Sequence, residues 1–169
     1  MTARRTARML ARYNAWANKT LFDAVARLPE GEAMKPRASV FKNIVHTLNH
    51  NYVIEDIFRA HLEGREHTYT ARNTPEPPLD RLWLAQQTLD AWCIDWSDAI
   101  TEDALEERVP FVFVGGGEGI MTRSEMLLHV VNHTTYHRGF IADMFYQIPI
   151  RAPTTDLTVF LRDVPLELG

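Results

Sequence analysis

Four long segments of the chain carry apolar side chains at helical spacing, and they decide most of what it can fold into. The segments cover residues 6–28, 39–62, 79–100 and 124–147. In the first segment Leu10, Tyr13 and Leu21 fall on one stripe, as expected of a helix that buries one face. Pro29 is expected to end that helix, and Ser39 to cap the next. Four amphipathic helices of about 22 residues, each about 33 Å long, predict a four-helix bundle.

Two shorter elements are predicted outside these segments. The run R-V-P-F-V-F-V-G-G-G-E-G-I-M-T at residues 108–122 has β-branched and aromatic residues on both sides of a glycine turn, which is typical of a small hairpin. Either Thr122 or Ser124 is expected to cap the helix that follows. Residues 156–162 predict a short helix. The predicted fold is all-α: a single domain of residues 1–169, a four-helix bundle with a small β-hairpin insertion before the fourth helix and a short C-terminal helix.

Composition narrows the class of protein. With a net charge of -4, the chain lacks the basic surface of a nucleic-acid-binding protein, and the cluster at Arg4, Arg5, Arg8 and Arg12 is interpreted as a solvated helix face. No stretch reaches the roughly 20 apolar residues of a membrane span, and the first residues lack the apolar segment of a signal peptide. Cys93 is the only cysteine, which excludes an intramolecular disulfide and a thiolate-rich metal site. We therefore expect a cytoplasmic protein with no nucleic-acid or membrane partner.

Histidines interrupt the apolar stripe of the fourth segment, in H-V-V-N-H-T-T-Y-H-R-G at residues 129–139. His133 and His137 are one helical turn apart, about 5–6 Å at Cβ, so their imidazoles can bind one cation through metal–nitrogen bonds of about 2.1 Å. His129 lies one turn further back and could replace His137 in such a pair. Three histidines on one straight helix cannot all reach a single ion, because the outer two are about 12 Å apart.

The second segment supplies another spaced pair, His46 and His50, and either could be the third ligand. Both lie on the apolar stripe, so periodicity does not choose between them. Three imidazoles leave at least one coordination position open to water or substrate, which is typical of a catalytic site. Imidazole binds zinc, nickel, copper and iron, so the ligands do not identify the metal. No general base is identified.

Four motifs make the chain resemble the DinB-like family, whose relatives include thiol S-transferases that use bacillithiol or mycothiol. The motifs are Y-N-A-W-A-N (13–18), S-V-F-K-N-I-V-H-T-L-N-H (39–50), N-H-T-T-Y-H-R-G (132–139) and T-D-L-T-V-F-L-R (155–162). The resemblance implies a metal-binding four-helix bundle with His50, His133 and His137 as ligands. His46 and His129 then fall outside the triad and are interpreted as packing or hydrogen-bonding residues.

Three hypotheses about function remain open at this point. In the first, the triad serves a metal-dependent thiol S-transferase or hydrolase with a small-molecule substrate, using zinc or nickel, with manganese or iron as further candidates, and with a thiol cofactor implied by the resemblance. In the second, the chain is a non-catalytic metal- or ligand-binding bundle of stress-response type. In the third, the imidazoles are neutral core residues without a metal. The tryptophans of the third helix and the resemblance favour a homodimer.

Weaker interpretations concern three residues outside the triad. Arg138 is expected either at the rim of the site, as an anion-binding guanidinium, or in a salt bridge to Glu55 or Asp56 of the second helix. Tyr13 is expected to be a core aromatic, although its hydroxyl could instead face the site. Cys93 is expected to be an unreactive core thiol.

Overall fold

The computed structural model describes residues 2–165, and in this range it has the predicted architecture. The helices are α1 (Ala3–Val25), α2 (Ile44–Leu62), α3 (Leu79–Ala99), α4 (Glu102–Glu106), α5 (Arg123–Tyr146) and α6 (Leu157–Asp163), with a 3-10 turn at Glu32–Met34. The strands β1 (Arg108–Val112) and β2 (Glu118–Thr122) form an antiparallel hairpin. A bundle of four long helices, a hairpin before the last of them and a short helix after it are confirmed.

The four long helices are arranged so that α2 and α5 are neighbours. Both α1 and α2 pack against α3 and against α5. The faces of α2 and α5 that carry His50 and His133 can therefore meet directly. Side chains from all four helices fill one end of the bundle, with Phe22, Ile44, Leu82 and Phe145 among the most buried.

The helix α6 closes the other end of the bundle. Phe160 of this helix is fully buried, and its ring packs edge-on against Tyr13 of α1 at 5.7 Å between centroids. In the predicted arginine cluster of α1, Arg8 and Arg12 both form ion pairs with Asp98 of α3, at 2.7 and 2.8 Å. In residues 2–165 no helix combines the length and the apolar character that crossing a bilayer requires.

The start of α2 differs from the prediction. The helix begins at Ile44 instead of after Ser39, because the Asn43 side chain is the N-cap and accepts a hydrogen bond of 2.7 Å from the backbone N–H of His46. The preceding residue, Lys42, has a φ of 64°, a left-handed conformation that a helix does not tolerate. Residues 35–43 consequently form an irregular segment that brings Phe41 over the side of the bundle.

The hairpin leads directly into α5. Thr122 ends β2 and also caps α5: its hydroxyl accepts from the N–H of Glu125 at 3.1 Å, and its own N–H donates to the Glu125 carboxylate at 2.7 Å. This reciprocal pair is a capping box. Of the two caps predicted for this helix, Thr122 is correct.

One face of the hairpin packs on α2. Val109 and Phe111 are buried, and the ring of Phe111 lies 6.0 Å from that of Phe58 on α2, between centroids. Phe111 is paired across the sheet with Gly119. The hairpin thereby forms a wall beside the α2–α5 pair.

Candidate metal centre

Three imidazoles from two helices converge on one point. The Nε2 atom of His133 lies 3.3 Å from Nε2 of His50 and 3.1 Å from Nε2 of His137. Two nitrogens bound to the same ion at about 2.1 Å in a tetrahedral arrangement are separated by about 3.4 Å. The three nitrogens therefore have the spacing of ligands that share one cation.

All three imidazoles are held in the neutral form. Burial, together with the neighbouring His137 and His50, lowers the pKa of His133 to about 3. Burial also lowers the pKa of His137, to about 4, and that of His50. Since a metal ion binds only the unprotonated nitrogen, lone pairs are available at neutral pH.

The tautomer of His50 is set by the loop that follows α2. Its Nδ1 atom lies 2.9 Å from Oδ1 of Asn73 and 3.2 Å from the backbone carbonyl of Arg72. Both partners are acceptors, so Nδ1 carries the proton and Nε2 presents its lone pair to the other two histidines. A histidine that binds a metal usually donates its second N–H in this way.

The same loop is tied to α2 one residue before His50. The Asn49 side chain donates to the backbone carbonyl and to the hydroxyl of Thr74, at 3.1 and 3.0 Å. Asn49 thus holds in place the segment that carries Asn73. Sequence reasoning missed Asn73 because a contact from an irregular loop has no periodic signal.

Phe41 packs against the triad from the irregular segment before α2. Its ring is stacked on His50, with 4.5 Å between centroids and 27° between planes, and it meets His137 edge-on at 4.9 Å. Phe41 excludes water from this side of the imidazoles. No functional role was predicted for Phe41.

The remaining two histidines of the predicted set lie outside the cluster. His46 points to Glu76, with Nδ1 2.9 Å from the carboxylate. The ring of His129 packs against Phe58 in a tilted arrangement with 4.6 Å between centroids, and its centroid is 5.8 Å from that of His133. His129 lines the cavity next to the cluster without joining it.

A cavity of about 850 Å³ opens beside the three histidines. Its walls come from α2, α5, the hairpin and the loop that carries Arg72 and Asn73. Apolar side chains make up most of the lining, and Arg72 is the one lining residue with a permanent charge. A cation held by the histidines would face this space, so a small molecule in the cavity could complete its coordination.

Behind the cluster lies a polar network in the bundle core, and Arg138 is part of it. Arg138 does not lie at the rim of the site, because it is 3% exposed. Its guanidinium donates to Oδ1 of Asn14 at 3.1 Å and to the Tyr13 hydroxyl at 3.2 Å. Glu55, one of its two predicted partners, attracts this guanidinium electrostatically without a direct ion pair. Tyr13 in turn donates to the carbonyl of Thr155 at 2.9 Å. Tyr13 is therefore a core aromatic whose hydroxyl faces away from the histidines.

Two carboxyl groups complete this network. Glu55 accepts from the Asn14 amide at 2.9 Å, Asp90 accepts from the Asn18 amide at 3.0 Å, and the Gln86 amide bonds to both carboxyl groups. Burial and the nearby Asp90 carboxylate raise the pKa of Glu55 to about 8, and burial raises that of Asp90 to about 6. Both carboxyl groups therefore hold their protons more tightly than exposed acids do, and Arg138 lies close enough to offset their negative charge.

Cys93 takes no part in either group of residues. Burial, together with the Glu55 and Asp90 carboxyl groups, raises the pKa of its thiol far above the usual range. Such a thiol is a poor nucleophile, in agreement with its predicted role as an unreactive core residue.

Comparison with known proteins gives one consistent result. The family model described as "DinB family" matches residues 1–163. "Protein DinB" of Bacillus subtilis (strain 168) is 30% identical over 166 residues, which is 90% of this chain and 91% of that protein. The crystal structure of a DinB-like protein from Bacillus cereus ATCC 10987 superposes with a TM-score of 0.65 at 14% identity, over 86% of this chain and 94% of that one. At that identity the structural likeness supports the fold alone.

Proposed function

Since this chain belongs to the DinB family, we propose that His50, His133 and His137 hold one divalent transition metal ion and that the protein is a metal-dependent enzyme. The observation that carries the proposal is the convergence of three Nε2 atoms at 3.1 and 3.3 Å. The three imidazoles are neutral, so they do not repel a cation. Two helices, α2 and α5, hold them in position.

The reaction that fits best is the transfer of a thiol to a small electrophile, with hydrolysis as the related alternative. A bound divalent ion lowers the pKa of a thiol or water at its open position, so that the anion forms near neutral pH. His50 keeps its lone pair on the ion because Asn73 holds the opposite N–H. Phe41 and the apolar wall of the cavity keep bulk water away from the reacting groups.

Zinc and nickel suit an all-imidazole donor set, and manganese or iron are the further candidates. A thiol cofactor is expected by analogy with the thiol S-transferases that the chain resembles. The substrate is a small molecule that enters through the cavity.

Elemental analysis tests the metal site directly. Protein purified without chelators or a histidine tag is expected to contain about one equivalent of a transition metal, or to take it up from added zinc or nickel. His133→Ala is expected to contain none. His129→Ala is the matched control, because His129 lies on the same helix one turn away and outside the cluster, and it should keep the full equivalent.

Activity is tested with the loaded protein. Turnover of a low-molecular-weight thiol with a panel of electrophiles, or of an ester and amide panel, should depend on the metal and vanish in His133→Ala. A protein that binds its equivalent of metal but turns over none of these substrates would be a binding protein instead. Loss of metal from His129→Ala and retention by His133→Ala would contradict the proposed ligand set.

A further inference from the structure

The charge and the apolar lining of the cavity beside the histidines favour one class of ligand. We propose that it binds an organic anion with an apolar, aromatic-sized body: the acidic group lies between the three imidazoles and Arg72, and the body lies between α2 and the hairpin. This inference rests on the proposed function, because the metal ion and Arg72 together attract the acidic group.

The charge of the lining favours an anion. Arg72 lines the cavity, and no aspartate or glutamate does so among the residues that the structure describes. Within residues 2–165 no carboxylate forms an ion pair with the Arg72 guanidinium. Three neutral imidazoles carry no negative charge that would neutralise a divalent cation, so the metal-loaded site has a net positive charge. A ligand with a negative group at this end gains from both the ion and the guanidinium, whereas a cationic ligand is repelled.

The side of the cavity away from Arg72 is apolar. Besides the imidazoles of His61 and His129, it is lined by Ile54, Ile57, Phe58, Phe111, Phe113, Val114 and Met121. The rings of Phe111 and Phe113 meet edge-on at 4.9 Å, and this pair extends the surface of Phe58 toward solvent. Such a surface favours a flat aromatic group, because aromatic rings bind well in edge and stacked contacts.

The mouth of the cavity also exposes apolar side chains. Phe113 is 53% exposed on the hairpin side, and Val40 is 74% exposed on the side of the irregular segment. A ligand body that lies between them would bury surface that faces water in the free protein. A cavity of about 850 Å³ is far larger than an inorganic anion needs and falls in the range of small organic ligands.

Cobalt(II)-loaded protein allows binding to be followed without any turnover. The probes are acetate, 4-phenylbutyrate and 4-phenylbutylamine, titrated by calorimetry and by the visible absorption of the cobalt. We expect 4-phenylbutyrate to bind at least ten times more tightly than acetate and to change the cobalt spectrum, and the amine to leave the spectrum unchanged. Arg72→Gln should weaken both carboxylates by a similar factor.

Variants of the hairpin locate the apolar body. Phe111→Ala and Phe113→Ala are expected to remove most of the advantage of 4-phenylbutyrate over acetate. If Phe111→Ala fails to fold, Phe113→Ala still tests the inference, because Phe113 is largely exposed and its removal leaves the core intact. Ile120→Ala is the matched control, because Ile120 is 51% exposed on the same hairpin and does not line this cavity.

The two proposals fail in different ways. If no cobalt spectrum appears, and none is induced by any carboxylate, the metal site itself is absent and the proposed function is wrong. If the cobalt spectrum is present and acetate and 4-phenylbutyrate bind equally, the metal site stands and the inference about the ligand is overturned. Equal binding of the amine and the acid would overturn it as well.

Discussion

The Nδ1 atom of His50 lies 2.9 Å from the side-chain oxygen of Asn73, and this one hydrogen bond links the loop after α2 to the orientation of an imidazole in the core. The bond keeps the proton on Nδ1 and the lone pair of Nε2 directed at His133 and His137. Partners of this kind tune the affinity of a metal site, and their loss costs about 10–100-fold.

Asn73→Ala is therefore expected to lower zinc affinity by about tenfold, the lower end of that range, because the carbonyl of Arg72 still accepts from His50. Competition with a chromophoric chelator measures the change. Asn132→Ala removes an exposed amide next to His133 and should leave the affinity unchanged. An Asn73→Ala protein with unaltered affinity would show that the carbonyl alone orients the ring.

Glu55 is expected to make the free energy of unfolding depend on pH above 5. Its pKa is 4.5 as an ordinary side chain and about 8 in the folded protein, so between these values the folded state binds more protons than the unfolded one. The contribution of Glu55 to the free energy of unfolding should then fall as pH rises, by at most about 1.4 kcal/mol per pH unit, and this contribution is lost above the folded pKa.

Glu55→Gln removes this ionisation, so the free energy of urea unfolding of the wild type minus that of the variant should fall between pH 5 and about 9. The histidines titrate in both proteins, and their contribution cancels in this difference. The substitution also removes a hydrogen-bond acceptor, and the stability lost for that reason shifts the whole profile by a constant. The slope of the free energy of unfolding against pH is therefore the quantity to compare. Glu66→Gln, at an exposed glutamate of the loop after α2, should reproduce the wild-type slope. Parallel profiles for Glu55→Gln and wild type would mean that Glu55 is ionised throughout this range.

Arg138→Met is expected to destabilise the protein by about 3–5 kcal/mol, since it removes the one buried cation that balances Glu55 and Asp90. Combining it with Asp90→Asn should cost less than the sum of the two single changes, because the second change removes the charge that the first leaves unbalanced. Chemical denaturation of the four proteins gives the coupling. Strict additivity would show that Arg138 contributes through packing instead of charge.

Gly119→Ala is expected to displace the Phe111 ring, because a Cβ at this position would lie 2.5 Å from Cζ of Phe111. We expect a loss of about 1–3 kcal/mol of stability and weaker binding of apolar anions, with metal content unchanged. Gly139→Ala on α5, where an added Cβ meets nothing within 4 Å, should instead be neutral or stabilise by up to about 1 kcal/mol. Calorimetric melting of both variants, with metal analysis, distinguishes local displacement of Phe111 from general damage.

The parts of the fold that follow from local rules were predictable. Apolar stripes placed the long helices, and Thr122, one of the two predicted caps, is where α5 is capped. The start of α2 was not predictable to the residue, because Ser39 and Asn43 are both good caps and the positive φ of Lys42 that decides between them is not visible in the residue type.

The site, like the fold, was predictable where it depends on helical spacing and not where it depends on tertiary contacts. Helical spacing predicted imidazoles from two helices, but it left His46 and His50 equivalent, since one turn separates them on the same stripe. Resemblance favoured His50, and the structure brings that ring to His133. The roles of Asn73 and Arg138 depend on tertiary contacts, one from an irregular loop and one with three other helices in the core, and such contacts have no periodic signature.

Thr122 ends β2 and caps α5, so the hairpin is a unit that can be exchanged as a whole. It is anchored at one end by this cap and at the other by the buried Leu105 of α4, while the histidines lie on helices outside it. Insertions, deletions or swaps between these two anchors would remodel the aromatic wall without moving an imidazole. Chimeras that carry a relative's hairpin should inherit that relative's preference among cavity ligands, while the three histidines keep their spacing.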